Sequence, residues 1–376
     1  MQDLKRFSGW FRGEALPLWA DAGFHDDLNI FAERLGFDCK PVEGLPHRLM
    51  VQARQVSVFC DTERNGWMDG AGDIALRAAG TMVSTYKRQG SEGCWAFASD
   101  PRGKVTDIRA DLYTHAFVLY ALSRLFRMDG HARWRDMALE TLDMVDRVFT
   151  HPQGGYLPAL PADGWLLQNP VMHMLEAMLD LAESCGDDVF AKHAATLRQL
   201  ALSRLIDPQT GALAERFDSA WNPRATCADS WVEPGHLYEW IWLLDWSEKV
   251  LGGGMSGAIA GLHRVALNHG YDRRGFLVDE LELSGRVRKP DRRLWPHTEG
   301  ARAELVLARR AGKPGDAHAG ALVARLLEGF LDPAPPGGWI DRIDTSGKSL
   351  SPDIPASSLY HLAGAAAAID THIAMV

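Results

Sequence analysis

Gly93-Cys94-Trp95-Ala96-Phe97 sets a glycine turn beside aromatic residues, and the combination returns as Gly155-Tyr156-Leu157, Gly211-Ala212-Leu213 with Phe217, Gly275-Phe276-Leu277 and Gly338-Trp339-Ile340. Glycine supplies the turn and the residue after it packs inward. From Trp95 through Tyr156, Leu213 and Phe276 to Trp339 the intervals are 61, 57, 63 and 63 residues. A second ladder of polar residues on apolar helices runs Arg48, Tyr113, His173, His236, His297 and His361, at intervals of 65, 60, 63, 61 and 64 residues. A fixed period of this size marks a repeat architecture whose unit is a helix pair and a loop. About six such units fill the 376 residues.

Between the loops, apolar residues recur at spacings of three and four over Arg48 to Glu63, Ile108 to Met128, His131 to Val148, Pro170 to Ser184, Trp231 to Val250, Arg293 to Arg310 and Ala321 to Leu331. The chain is therefore expected to be all-α. An open stack of helix pairs would bury five or six polar ladder residues along one face. A closed toroid instead gathers them into a central funnel, so the expectation is an (α/α)6 barrel over residues 1–376, one domain, with short β-hairpin loops on one rim. The Pro-rich stretch Asp332 to Gly338 reads as a loop inside a repeat, because Trp339 follows it at once.

Composition narrows the function. Lys and Arg number 40 against 49 Asp and Glu, a formal charge of −9, which argues against a large nucleic-acid surface. The densest basic stretch, Arg286 to Arg293, is broken by Pro290 and Asp291 and reads as a solvated loop. Hydrophobic residues at 46% and charged ones at 24% match an ordinary globular chain. No run approaches the ~20 apolar residues that span a bilayer, and Met1 to Trp10 carries charges where a secretory leader would be apolar. A cytoplasmic protein without membrane partners is expected. Cys39, Cys60, Cys94, Cys185 and Cys227 are odd in number and form no CxxC pair, so neither a disulfide framework nor a thiolate zinc site is expected. Thirteen tryptophans stand beside fourteen histidines; indole rings serve cores and sugar stacking alike.

Several stretches carry candidate chemistry. In Arg48-Leu49-Met50-Val51-Gln52-Ala53-Arg54-Gln55, Arg54 reads as a structural ion pair and Arg48, on the ladder, as a ligand contact. Asn169 reads as the cap of a helix opened by Pro170, with His173 four residues on and on the same face. In Trp231-Val232-Glu233-Pro234-Gly235-His236-Leu237-Tyr238-Glu239-Trp240, His236 and Glu239 are three apart on a helix start, where a carboxylate can orient an imidazole. His173, His236 and Glu239 together are loosely metal-like, but there is no HExxH and no cysteine nearby. Trp295-Pro296-His297-Thr298-Glu299 adds an aromatic wall and a carboxylate, and Tyr113 with His115, and Tyr360-His361, complete the ring. Imidazoles near neutral pKa, flat indoles and a few charges suit a polyhydroxyl ligand.

These motifs resemble the N-acylglucosamine 2-epimerase superfamily, and within it the mannose isomerase branch. The residues that carry the likeness are Arg48 to Gln55, Asn169-Pro170 with Met172-His173 and Glu176-Ala177, Glu233-Pro234-Gly235-His236 within Trp231 to Trp240, Leu294 to Glu299, and Tyr360-His361, covering five repeats in order. The resemblance implies an (α/α)6 barrel, no cofactor, no catalytic metal, and isomerisation or 2-epimerisation of a free monosaccharide. It implies His236 and His361 as acid/base residues and Arg48 as the substrate-oxygen contact. Tyr113, Asn169, His173, Glu239, Trp295 and Glu299 are implied as pocket residues, with Glu239 the partner carboxylate of His236. His297 departs from the pattern, which has glutamine there. D-mannose and D-fructose are the expected pair, interconverted by proton transfer through a cis-enediolate. The rivals are an N-acylglucosamine or other aldose 2-epimerase, a toroidal glycosidase with two carboxylates, and a helical-repeat binding scaffold. No Gly-rich phosphate cradle is visible, which favours an unphosphorylated sugar; monomer and homodimer are both open.

Overall fold

The computed structural model describes residues 1–223, 230–312 and 317–376. Cys227 lies outside the described residues, and the other four cysteines are free thiols. The described helices are α1 (Gln2–Trp10), α2 (Leu16–Asp21), α3 (Leu49–Arg64), α4 (Ala71–Tyr86), α5 (Leu112–Asp129), α6 (Ala132–Phe149), α7 (Gln168–Cys185), α8 (Asp188–Leu200), α9 (Pro234–Leu251), α10 (Ser256–His269), α11 (Trp295–Arg310), α12 (Ala317–Leu326) and α13 (Leu359–Met375). Among the described residues, no helix is long and apolar enough to cross a membrane.

Helices α3, α5, α7, α9, α11 and α13 pack in that order, and α13 returns to α3, which closes an inner ring. Helices α4, α6, α8, α10 and α12 each lie outside the inner helix that precedes them, and α1 covers α13. This is an (α/α)6 barrel. Inner helices are buried nearly all round, as in Val51 to Cys60 of α3 and Leu237 to Leu244 of α9, whereas the outer α6 buries one stripe, Trp134, Ala138, Thr141, Leu142, Met144, Val145 and Phe149. The periodicity read from sequence found the inner helices α3, α5, α7, α9 and α11 and the outer α6 and α12; α1, α2, α4, α8, α10 and α13 are additional. Trp19 of α2 stacks on Trp339 at 5.4 Å between ring centroids, fastening the first repeat to the last.

Each inner helix is entered from an extended residue or pair, and these pair antiparallel around one rim. His47–Arg48 pairs with Ala98–Ser99, Ala110–Asp111 with Ala159–Leu160, and Leu166–Leu167 with Arg216–Phe217. Val232 then pairs with Leu281, Arg292–Arg293 with Arg342–Ile343, and Ile354–Pro355 closes onto Arg34–Leu35. All six inner helices therefore start at the same rim. Two ladder glycines are fixed by close approach as well as by positive φ: a Cβ on Gly211 (φ +78°) would stand 2.4 Å from the backbone of Gly261, and one on Gly155 (φ +71°) 2.6 Å from Leu200. Toward the other end, Asp180 of α7 is fully buried between Arg124 (3.2 Å) and Arg127 (3.0 Å) of α5, and Asp61 of α3 joins Arg124 at 3.1 Å. Those ion pairs fill the barrel there and leave the chemistry to the rim.

Candidate active site

The first turns of the inner helices converge on a cavity of about 220 Å³ lined by Arg54, Tyr113, Asn169, His173, Glu233, His236, Glu239, Arg293, Trp295, Asp341, Ser357, Ser358 and His361. Beside it, sharing the Tyr113 and Asn169 wall, lies a cavity of about 420 Å³ lined by Arg48, Met50, Phe97, Asp111, Asp163 and Leu167 among others.

Each histidine of the inner cavity has its Nδ1 tied to a carboxylate. His361 Nδ1 lies 2.8 Å from Glu299 Oε1, and the second oxygen of Glu299 accepts from Trp242 Nε1 (2.8 Å) and Arg302 Nη1 (2.9 Å). His236 Nδ1 lies 2.8 Å from Glu215 Oε1 and 3.6 Å from Glu233, and Gln168 donates to the other Glu215 oxygen at 2.9 Å. His173 Nδ1 lies 3.0 Å from Glu176, which also accepts from Tyr360 OH. A carboxylate at Nδ1 fixes that nitrogen as the N–H and leaves Nε2 for the cavity.

The charge states differ because the surroundings differ. Burial pushes the His361 pKa down to about 4, and Glu299, itself shared with Arg302, restores only part of it. Burial lowers His236 too, but Glu215 and Glu233 outweigh it and hold the imidazole at about 9. His173 is lowered by burial, against Glu176. At neutral pH one pocket histidine is thus an imidazolium and another a neutral base. The ring of Trp295 touches both, with centroids 4.9 Å from His236 and 5.4 Å from His361.

Glu239 does not orient His236, as its spacing of three suggested. It is buried on the cavity floor, 3.9 Å from His173 Nε2, and neither of its oxygens has a hydrogen-bond partner. Burial and the neighbouring Glu299 raise its pKa well above the ordinary range, against the pull of His236. Glu299 likewise stands behind His361 and does not line the cavity. Asn169 is the second residue of α7, not its cap; its Oδ1 is buried without a partner at the cavity wall.

The two arginines of α3 exchange places relative to the sequence reading. Arg48 lies outside the histidine cavity, in the larger neighbour, and its guanidinium and backbone N–H both bond Glu33. Arg54 lines the histidine cavity with no carboxylate partner among the described residues. It donates to Ser357 O (3.0 Å) and to Tyr113 OH (2.5 Å), and its guanidinium lies 4.1 Å from the Phe117 ring centroid. Arg293, from the stretch read as a solvated loop, also reaches the cavity, bonded to Glu233 at 2.6 Å and to Asp279.

His297 leaves the ladder altogether. It is fully buried, its Nε2 accepts from Leu277 N at 3.1 Å, and its Nδ1 meets Arg293 O at 2.9 Å. His115 repeats the pattern with Trp95 N (3.1 Å) and Asp111 O (2.6 Å), again twenty and four residues upstream. Both histidines tie a glycine-aromatic loop to an inner helix. Replacing His297 by leucine leaves two buried backbone groups unpaired and is expected to lower stability by about 3 kcal/mol in urea titration, with kcat/KM nearly unchanged.

Three groups, His173 with Glu176 and Glu239, His236 with Glu215 and Glu233, and His361 with Glu239 and Glu299, are compact enough among the described residues to surround a cation. In each, however, the histidine's Nδ1 already meets one of the carboxylates. That geometry suits acid/base histidines.

Residues 31–365 match the model of the N-acylglucosamine 2-epimerase family. The chain is 32% identical over 368 residues to a mannose-6-phosphate isomerase of Rhizobium meliloti, covering 94% of this chain and 93% of that protein. It is 25% identical to a D-mannose isomerase of Thermobifida fusca, covering 88% and 89%. A solved D-mannose isomerase superposes with a TM-score of 0.87 at 18% identity, over 98% of both chains. With the matching model spanning nearly the whole barrel, the chain belongs to the N-acylglucosamine 2-epimerase family of sugar isomerases and epimerases.

Proposed function

We propose that this protein is an aldose–ketose isomerase of a free monosaccharide, D-mannose to D-fructose, and that residues 1–376 act as one catalytic unit. The observation that carries this reading is the pair of histidines in one cavity, each with Nδ1 on a carboxylate, in surroundings that push the pKa of one up and of the other down. His236, as imidazolium, donates from Nε2 to the ring oxygen, and the anomeric O1–H proton passes to the vacated Nε2, which opens the pyranose and restores the imidazolium. His361, neutral, removes the proton from C2 of the open chain. Negative charge develops on O1, where Arg54 and the His236 N–H donate to it. His361, its proton exchanged with solvent, protonates C1 as the O2 proton passes to O1, giving the ketose. Tyr113, Asn169, His173 and Trp295 hold the chain of hydroxyls.

An unphosphorylated substrate is favoured by charge. Of the arginines lining the two cavities, Arg48 is neutralised by Glu33, and Arg293 by Glu233 and Asp279; Arg54 alone among the described residues has no carboxylate. A 6-phosphate dianion would have one free guanidinium to meet it. The second reading, 2-epimerisation, requires a donor on the opposite face of C2, and His236 is the cation available there.

NMR of the chelator-treated protein with D-mannose in D2O tests the reading. Fructose with solvent deuterium at C1 is the expected product; glucose would show epimerisation, and turnover confined to mannose 6-phosphate would overturn the unphosphorylated assignment. Loss of activity on chelation, restored by a divalent cation, would overturn the metal-independent route. Since His361 must be neutral and His236 charged, kcat/KM is expected to fall as pH drops through about 4 and again as it rises through about 9.

A further inference from the structure

Gly235 precedes His236 in the first turn of α9 and is an ordinary helical residue, so nothing in its backbone demands glycine. Space does. A Cβ there would stand 2.5 Å from both Cη2 and Cζ3 of Trp295 and 3.0 Å from Pro296. The indole lies against the bare Cα of α9, and from that seat it touches His236 on the same helix and His361 on α13. Among the described residues, Trp295 is thus the one ring in contact with both proposed acid/base groups, and where it sits depends on an absent methyl.

We propose that Gly235 is a positioning residue: by admitting the Trp295 ring to α9 it sets the spacing of His236 and His361 and keeps water from His361. The first effect rests on the isomerase reading; the second does not. A methyl at position 235 forces the ring back by about 1 Å to reach ordinary contact. Alanine is the better helix former by about 1 kcal/mol, which offsets much of the cost of moving the ring, so Gly235→Ala is expected to fold with a Tm within a few degrees of wild type. The groups that face His361 are Glu299 of α11, itself bonded to Arg302, Glu239 of α9, His173 of α7, and Arg54 of α3. None of them is altered by the substitution.

The test is a double-mutant cycle with Trp295→Phe, whose shorter ring vacates the space a Cβ needs. Two quantities are read on wild type, Gly235→Ala, Trp295→Phe and the double variant: the His361 titration by NMR of the imidazole Cε1–H, and kcat. Gly235→Ala alone is expected to raise the His361 pKa from about 4 by at least ~0.5 unit and to lower kcat at least ~10-fold, an effect of the size expected for misplaced acid/base groups. Added to Trp295→Phe, it is expected to change neither by more than ~2-fold or ~0.2 unit, the limit of additivity. Equal effects in both backgrounds, or an unmoved His361 titration in Gly235→Ala, would overturn the proposal. The titration needs no substrate, so it decides the point even if D-mannose is not turned over, an outcome that would count against the isomerase reading alone.

Discussion

Replacing His361 by asparagine is expected to lower kcat on D-mannose by about 10³-fold or more, the upper part of the range for a positioned general base, while thermal unfolding moves little. The imidazole is neutral, its Nδ1 bonded to Glu299 and its pKa held at about 4 by burial. Asparagine can keep a donor toward Glu299 but has no basic nitrogen for the C2 proton. Loss of exchange at C2 in D2O, measured alongside turnover, separates a lost base from lost binding. A variant that still washes deuterium into C2 at a near-normal rate would remove His361 from that step.

Arg54→Ala is expected to cost at least ~10² in kcat/KM, as for removal of an oxyanion donor, whereas Arg48→Ala is expected to cost less than ~10-fold. The contrast follows from their partners. Arg48 is matched to Glu33 outside the histidine cavity, and Arg54 lies inside it with no carboxylate partner among the described residues, sandwiched near Phe117, Tyr113 and Tyr360. A guanidinium with uncommitted charge in a dry site is free to meet an enediolate. Steady-state kinetics of both variants on D-mannose checks it; if Arg48→Ala were the more damaging, the oxyanion would have to reside in the larger cavity.

The barrel was legible because its signal repeats. A glycine turn and an inward aromatic every ~60 residues survive local noise that would hide a single copy. Outer helices such as α4, rich in Ala and Gly over Ala71–Tyr86, bury only a narrow stripe and give a weak pattern. In the site, the positions found from sequence were those on the first turns of inner helices. Glu215 was missed because it lies 21 residues from His236, across a loop and a helix start, and no local spacing pairs them. Glu239 was assigned to the wrong neighbour because a spacing of three puts two side chains on one face without saying that they bond. Arg48 and His297 entered the ladder by interval alone; six residues along the chain from Arg48, Arg54 occupies the inward face, and His297 shares its spacing with His115, not with His236. Interval identifies the repeat, while the face of the helix decides which polar residue enters the funnel.

The common start of the six inner helices at one rim has an electrostatic consequence. Each helix N-terminus carries a partial positive charge of roughly half an electron, from peptide dipoles aligned along the axis, and here all six are aimed toward the same small volume. The proposed enediolate, among Tyr113, His236 and His361, would therefore be born in a converging field supplied by the backbone itself. Side-chain substitutions leave that field in place. Even a pocket stripped of Arg54 would keep some affinity for developing negative charge, and a barrel of this topology is predisposed to chemistry that passes through an oxyanion.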